Sequence, residues 1–220
     1  MMNASVIVTE FGCSEHLDKQ LLAPIVEQQD RQRTSSTFWV WKQNGGSWGL
    51  WKGTESHQEL YEAKRDILSR VLPVAVVGQL LSFRYASDNQ TFAMRARAPA
   101  ATVSQLTDPD GTNPPVNTLV YIPTHVSTPS DSVTVTGGCK ISSIVTQPDG
   151  SRLLSVTVDA EAPPESEYTV QFGDTKSSLL GNLRADEKSL AQHDKIGIVM
   201  EIETMVKMVW QAVRFIGSSR

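Results

Sequence analysis

The sequence predicts an α/β unit followed by an all-β domain and a terminal amphipathic helix, and three patterns support this fold class. Two runs of β-branched and aromatic residues, 6–9 and 36–42, enclose a stretch with helical spacing. From residue 74 onwards, helical spacing gives way to short alternating runs separated by Asp, Asn, Gly and Pro. Apolar residues then recur at three- and four-residue steps within residues 195–216. We therefore expect a βαβ unit, an antiparallel β-sandwich and a final helix, in that order.

The first predicted strand, Val6–Thr9, leads directly into Glu10, Phe11 and Gly12. An unbroken run of β-branched residues is typical of a parallel strand that is covered on both faces. The carboxyl ends of such strands are where α/β folds build their active sites, so Glu10 is a candidate catalytic group. The alternative is a glutamate that forms an ion pair with a neighbouring cation.

The stretch between the two predicted strands, residues 15–33, is expected to be a helix that begins after a capping Ser14. Pro24 interrupts the pattern, so we expect a kink or a new helical start there. A right-handed crossover through this helix makes the strands parallel. The apolar positions that define the helix are Leu17, Leu21, Leu22, Ile25 and Val26.

Trp39 and Trp41 lie two residues apart in the second predicted strand and therefore point to the same side of it. An indole beside a carboxylate suits sugar binding, because the flat apolar face of a sugar stacks on the ring while the carboxylate faces the anomeric carbon. The alternative is that both tryptophans belong to the core.

Two motifs in these strands resemble a known family. They are Thr9-Glu10-Phe11-Gly12 and, after the helix, Phe38-Trp39-Val40-Trp41-Lys42. Together they resemble strands seven and eight of the (β/α)₈ barrel of glycoside hydrolase family 5, whose retaining enzymes include cellulases and endoglycoceramidases. The closer match is the branch of endoglycoceramidases and fungal glucosylceramidases or steryl glucosidases, in which a small β-sandwich follows the barrel.

The rest of the chain extends this resemblance over about residues 5–173. Residues 70–78 resemble the join between barrel and sandwich in that branch, although Val71 and Leu72 stand in place of its tyrosine region. The runs 118–123 and 133–138 resemble strands of its sandwich. The resemblance thus implies a partial (β/α)₈ barrel, made of the last two βα units, ahead of the sandwich.

The resemblance also implies roles for individual residues. Glu10 would be the nucleophile, and Trp39, or less favourably Trp41, would be the platform beneath the sugar. A retaining mechanism needs a second carboxyl about 5–5.5 Å away as acid and base. In this family that group follows an asparagine on strand four, and the sequence contains no Asn-Glu pair. We therefore expect a C-terminal fragment that is inactive alone, or one that pairs with a chain or segment supplying the missing strands.

Two more tryptophans, Trp48 and Trp51, lie in a Gly-rich loop after the second strand. Loops at this end of a barrel line the substrate cleft, so both could flank the aglycone; the alternative is packing against the barrel mouth. The capping-box pattern of Ser56–Glu59 predicts the start of a last helix that Pro73 stops. Its apolar positions would be Leu60, Ala63, Ile67 and Leu68.

The sandwich is expected to have about seven or eight strands, with a hairpin turn at residues 147–151 and a long loop at residues 100–117. Its aromatic residues are spread one or two per strand, which suits a core better than a sugar-binding platform. These aromatic residues are Phe83, Tyr85, Phe92, Tyr121, Tyr168 and Phe172.

Composition excludes several other classes. The 220 residues carry a net charge of −4, which gives no electrostatic reason to expect nucleic acid as a partner. Cys13 and Cys139 are expected to be free thiols, and the isolated His16 and His125 support no metal site, so we expect no metal and no cofactor. The start of the sequence lacks a signal-peptide pattern. The compartment stays unknown, with cytoplasm or vacuole implied by the fungal branch.

The sequence therefore divides into residues 1–72 as the barrel part, 73–173 as the sandwich, and 174–220 as a linker and amphipathic helix. That helix would dock on the fold or, alternatively, make peripheral membrane contact. The expected function is that of a retaining β-glycosidase fragment acting on a glycolipid, such as a glucosylceramide or steryl glucoside, or on another β-glucoside. The alternatives are a non-catalytic accessory or binding module and one half of a split hydrolase.

Overall fold

The computed structural model of the chain describes residues 7–39, 48–54, 57–100, 117–127 and 132–173. Within these ranges the chain forms twelve strands and two α-helices. Three predicted features lie outside the described residues: Trp41, the loop over residues 101–116, and the terminal helix of residues 195–216. Among the helices that are described, none has the length and apolar character needed to cross a bilayer.

The first unit is a parallel βαβ arrangement, as predicted. Strand β1 (Ile7–Phe11) pairs in parallel with β2 (Ser35–Phe38), and helix α1 (Ala23–Gln32) lies on the crossover between them. A small core forms between the strands and the helices. It consists of buried Cys13, Leu22 and Val26, with Phe11, Leu17, Leu21, Phe38, Ile67 and Leu68 packed against them.

The crossover is less regular than the single helix predicted for residues 15–33. A 3₁₀ turn (Glu15–Leu17) and a π-helical turn (Asp18–Leu22) precede α1. Pro24 lies in the first turn of α1 and has no N–H to continue the ladder from the residues before it. The α-helix therefore starts afresh at the proline, and Ser14 occupies the first cap position without a side-chain capping bond.

The helix predicted to start at Ser56 begins later, and the capping-box prediction is wrong. Strand β3 (Trp51–Thr54) pairs antiparallel with β4 (His57–Leu60), and only then does helix α2 (Glu62–Leu68) begin. Ladder bonds to β3 outweigh the weaker local capping signal. Helix α2 also ends before Pro73, which instead lies in an edge strand, where its missing N–H is tolerated.

Eight antiparallel strands form the predicted sandwich of two four-stranded sheets. The first sheet has the order β10-β11-β8-β5 and the second β6-β7-β12-β9. The predicted hairpin turn at residues 147–151 joins β10 to β11. The eight strands are β5 (Leu72–Ala75), β6 (Gln79–Ala86), β7 (Thr91–Arg97), β8 (Thr118–Ile122), β9 (Thr134–Thr136), β10 (Cys139–Thr146), β11 (Arg152–Val158) and β12 (Glu167–Phe172).

Five of the six aromatic residues predicted for the sandwich core contribute to it, whereas Tyr121 is half-buried outside it. The rings of Phe92 and Phe172 stack with centroids 5.3 Å apart. Phe83 and Tyr168 are buried as well, and Tyr85 packs against the core from a half-buried position. Alternating apolar residues from both sheets complete this core.

Tyr168 makes the main polar network inside the sandwich. Its hydroxyl donates to the Val77 carbonyl at 2.8 Å and lies 2.7 Å from the Thr118 hydroxyl, which accepts the Val77 N–H at 3.0 Å. Burial raises the pKa of Tyr168 to about 12, so the phenol stays protonated and able to donate. The network joins β12 to β8 and to the segment between β5 and β6.

Replacing Tyr168 with phenylalanine should lower the free energy of unfolding by about 1–3 kcal/mol, because buried partners lose their hydrogen bond. Urea unfolding of Tyr168→Phe measures this change. Tyr121→Phe, at a half-buried position in β8, is the matched control and should stay close to the wild type. Equal effects in the two variants would contradict a structural role for the network.

Helix α1 is joined to the sandwich by charged contacts. Arg84 of β6 pairs with Glu27, and Arg33 donates to the Leu80 carbonyl at 2.7 Å. Arg70, just before β5, pairs with both carboxylate oxygens of buried Asp30. Burial raises the pKa of Asp30, and the bonds from Arg70 oppose that rise. The crossover helix is thus anchored to the domain that follows it.

Candidate active site

The carboxyl ends of β1 and β2 come together very closely. The Trp39 N–H donates to the Phe11 carbonyl at 2.7 Å, and the rings of Phe11 and Phe38 meet edge to face with centroids 5.6 Å apart. A Cβ on Gly12 would lie only 2.1 Å from the Trp39 carbonyl oxygen. Glycine at this position therefore allows the two strand ends to converge.

Glu10 lies on a β-bulge. The paired residues are Ile7 with Ser35 and Val8 with Ser36, and the next pair is Phe11 with Phe38. Two residues of β1, Thr9 and Glu10, consequently face one residue of β2. Bulges re-aim a side chain and are frequent beside active sites.

The Glu10 side chain is exposed, and it forms no ion pair with any residue that the structure describes. The alternative reading of Glu10 as one half of an ion pair thus finds no partner within that part of the chain. The carboxylate is open to solvent at the end of a parallel strand.

Glu10, near the end of β1, and Trp39, directly after β2, both have exposed side chains. Phe11 and Phe38 contact each other and pack into the core beneath α1. Their immediate neighbours in sequence, Glu10 and Trp39, are exposed and do not belong to this core. Trp39 is 51% exposed and Ile7, on the same strand pair, is 59% exposed. An exposed carboxylate and an exposed indole thus lie at the carboxyl ends of two paired strands.

The other tryptophans predicted to bind substrate differ in their exposure. Trp48 is 42% exposed in the loop before β3, whereas Trp51 is half-buried within β3. Trp41 lies outside the described residues. Trp39 and Trp48 are therefore the two predicted binding residues whose rings the structure shows to be accessible.

A buried lysine lies directly behind the site, and the sequence reasoning missed it. Lys64 of α2 is 0% exposed. Its Nζ donates to the Cys13 carbonyl at 2.9 Å and to the Trp48 carbonyl at 3.2 Å, and it lies 3.4 Å from Oδ1 of Asp18. The signal was the spacing of Lys64, Ile67 and Leu68, which places a lysine on the apolar face of the helix.

Burial controls the chemistry of this cluster. It raises the pKa of the Cys13 thiol to about 12, an effect strengthened by the hydrogen bond to Asp18. Burial also raises the pKa of Asp18, against the opposing charge of Lys64. Cys13 is therefore a protonated thiol at neutral pH, and it is not poised as a nucleophile.

Cys13 should consequently react with iodoacetamide about a thousandfold more slowly at pH 8 than an ordinary thiol, since the thiolate fraction falls by that factor. Mass spectrometry of the alkylated peptide, before and after denaturation, measures the rate. A Cys139→Ser background leaves Cys13 as the sole thiol. The rate should rise with pH until the pH approaches the raised pKa. Rapid labelling of the native protein at pH 8 would contradict the prediction.

The carboxylates that follow Glu10 along the chain are already engaged. Asp18 is buried against Lys64. Glu15 accepts a hydrogen bond from the Tyr61 hydroxyl, and burial together with this bond raises the pKa of Tyr61. No group of three or more metal-ligating side chains occurs within the described ranges.

Comparison with known proteins gives one family match. Residues 70–171 match the family model "Glycoside hydrolase family 5 C-terminal domain". No curated protein sequence shows significant similarity to the chain. Solved structures that align with it include Cryptococcus neoformans sterylglucosidase 1, with 13% identity and a TM-score of 0.49, and an endogalactoceramidase, with 17% identity and a TM-score of 0.47.

These two alignments cover 77% and 76% of the present chain. They cover only 28% of the sterylglucosidase and 33% of the endogalactoceramidase. The chain therefore spans about a third or less of the length of these two proteins.

Proposed function

Because residues 70–171 match the model of the glycoside hydrolase family 5 C-terminal domain, we propose that the chain carries the nucleophile part of a retaining β-glycosidase. In this proposal β1, α1 and β2, with the segment through α2, form the last two βα units of a (β/α)₈ barrel. The sandwich then follows the barrel, as the sequence resemblance implies.

The observation that carries the proposal is the position of Glu10. Its exposed carboxylate lies on a bulge at the carboxyl end of a parallel strand, and the exposed Trp39 directly follows the paired strand. In the proposed reaction Glu10 attacks the anomeric carbon and forms a glycosyl ester while the leaving oxygen takes a proton. Water then hydrolyses the ester and restores the carboxylate. Trp39 would support the apolar face of the sugar.

The acid and base of this reaction would come from elsewhere. Asp18 and Glu15 are held by Lys64 and Tyr61 and do not offer a free carboxyl. We propose that another segment or chain supplies this group together with the remaining strands. The exposed Ile7 supports this proposal, since an apolar residue on a strand face is normally covered.

The proposed substrate is a glycolipid, such as a glucosylceramide or a steryl glucoside. This part of the proposal is supported by the resemblance of the strand motifs and of the join at residues 70–78 to the endoglycoceramidase branch. The accessible ring of Trp48 would lie on the aglycone side. Peripheral contact with a membrane surface, which would present such a substrate, belongs to the same proposal.

An activated 2-deoxy-2-fluoro-β-glucoside tests the proposal, since its good leaving group departs without acid catalysis and its glycosyl ester is slow to hydrolyse. The intact mass of the folded protein should rise by one fluoroglucosyl group. Peptide mapping should then locate the group on Glu10. An adduct on any other carboxyl, or no adduct in the folded protein assembled with the part that supplies the remaining strands, would contradict the assignment.

Trp39→Ala should weaken binding of this reagent about tenfold, because a stacked ring contributes on the order of 1–1.5 kcal/mol. The dependence of the trapping rate on reagent concentration measures the change. Trp51→Ala, at a half-buried ring, serves as a comparison. If Trp39→Ala is trapped with the same concentration dependence as the wild type, Trp39 has a packing role and does not bind the sugar.

A further inference from the structure

We propose that Lys64 is a positioning residue that ties the end of the Glu10 strand to the loop carrying Trp48. The inference rests on the proposed function, because it concerns how these two parts of the candidate site are held together. It assigns a role to a side chain that touches neither substrate nor the reacting atoms.

The hydrogen bonds of Lys64 define the connection. Its ammonium group binds the carbonyl of Cys13, three residues after Glu10, and the carbonyl of Trp48. These two carbonyls belong to segments that are far apart in sequence. A single cation between them fixes the distance from the nucleophile strand to the Trp48 loop.

The same ammonium also reaches the end of β2. It lies 6.0 Å from the centroid of the Phe38 ring and 5.7 Å from that of Tyr61. Phe38 directly precedes Trp39, so all three segments of the candidate site surround one charge. Cation–π contacts at these distances are attractive, and they strengthen when the cation is desolvated.

Asp18 makes the buried charge tolerable. Its Oδ1 atom lies 3.4 Å from Nζ of Lys64 and at the same distance from Sγ of Cys13. Taking an ammonium out of water is costly, and a well-packed apolar side chain is often at least as stabilising as a buried ion pair. Stability alone therefore gives little reason for a lysine here, whereas its ammonium group can donate to both loop carbonyls at once.

Lys64→Met tests the proposal, because methionine is similar in length and fills the space without donating hydrogen bonds. Two backbone amides report on the connected segments. The Trp39 amide bonds to the Phe11 carbonyl, and the Tyr61 amide bonds to the Leu50 carbonyl. Both should exchange hydrogen about tenfold faster in the variant, the factor that matches the loss of one charge-assisted bond.

Two controls make this result specific. The Ala98 amide, bonded to the Ser166 carbonyl within the sandwich, should exchange at its wild-type rate. Lys52→Met is the matched variant, because Lys52 also lies over the Tyr61 ring, at 5.5 Å, but pairs with exposed Glu59. It should leave all three amides unchanged. If Lys64→Met does not fold, Lys64→Gln takes its place, since glutamine keeps one donor group without the charge.

Trapping with the 2-fluoroglucoside supplies the second measurement, separated into reagent affinity and maximal rate for the folded molecules. We expect Lys64→Met to weaken affinity and to slow ester formation, each by about tenfold. A lysine that only stabilised the fold would change neither value at temperatures well below unfolding. Lys64→Gln should fall between the wild type and Lys64→Met.

The outcomes separate this inference from the proposed function. Unchanged Trp39 and Tyr61 exchange, or equal acceleration in the sandwich, would overturn the role of Lys64 whatever the trapping shows. Normal trapping parameters alongside faster loop exchange would also overturn it as a positioning role. A third outcome is faster exchange of the Trp39 and Tyr61 amides in Lys64→Met, together with no trapping of the wild-type protein by the 2-fluoroglucoside. That outcome would refute the glycosidase proposal and would still support the role of Lys64 in connecting the two segments.

Discussion

Glu10→Gln is expected to abolish the glycosyl-enzyme and to lower turnover by at least about a thousandfold, or about 4 kcal/mol of transition-state stabilisation. The amide is similar in shape to the carboxylate but is a poor nucleophile. Because Glu10 is exposed on the strand face, the change should leave the fold intact. Turnover of an activated β-glucoside by the assembled protein, with circular dichroism alongside, measures both effects.

The matched control is Glu59→Gln, which alters an exposed glutamate of β4 that pairs with Lys52 at the surface. Such pairs contribute little, so activity should stay near the wild-type level. A second variant, Glu10→Ala, leaves room for azide on the face that the carboxylate occupied. Added azide should then restore turnover with an inverted glycosyl azide as product. A Glu10→Gln variant with full turnover would refute the nucleophile assignment.

Gly12→Ala is expected to have the second largest effect, because one added methyl group would collide with the Trp39 carbonyl oxygen. Backbone atoms at this point cannot move without separating the ends of β1 and β2. Overpacking of this kind destabilises by about 1–3 kcal/mol. The bond from the Trp39 N–H to the Phe11 carbonyl should weaken, and trapping at Glu10 should slow with it.

Thermal unfolding and the exchange rate of the Trp39 amide together measure this prediction. Ser14→Ala is the control, since it lies in the same segment and its hydroxyl makes no capping bond. It should behave like the wild type. A Gly12→Ala variant with an unchanged melting temperature and unchanged Trp39 exchange would show that the two strand ends do not meet as described.

The sequence predicted the sandwich well because its signals are local and repeated. Alternating runs separated by turn residues correspond to observed strands, and the turn at residues 147–151 is where the pattern indicates. The parallel pairing of β1 and β2 also followed from the order of strand, helix and strand. Patterns of residues close together in the sequence were sufficient to predict both features.

The sequence failed where a distant partner decides the local structure. Ser56 and Glu59 have capping-box spacing, yet Glu59 lies in β4 because β3 offers a full set of ladder bonds. Pro24 signalled an interruption, but the 3₁₀ and π-helical turns before it depend on how the crossover packs. The predicted helix also started too early, at Ser56, and for this reason the apolar face of α2 that includes Lys64 was not recognised.

The candidate site was predictable in its residue types and unpredictable in its geometry. Glu10 was identified from its place at the end of a predicted strand, and Trp39 from its place within the second predicted strand and from the family resemblance. The bulge that turns Glu10 outward could not be read from an unbroken apolar run, since such a run gives no register. The catalytic and binding roles of these residues stay predictions until trapping tests them.

The charged contacts between α1 and the sandwich imply that the two parts of this chain melt together. Glu27 and Arg33, which bind the sandwich, belong to the crossover that connects the strands of Glu10 and Trp39. Removing the sandwich would take away the Arg84 partner of Glu27 and the Leu80 carbonyl that accepts from Arg33, and a break after residue 72 would also divide β5. The sandwich therefore stabilises the crossover that connects the two strands and is not an independent module. Calorimetry should find a single cooperative transition for the βαβ unit and the sandwich together.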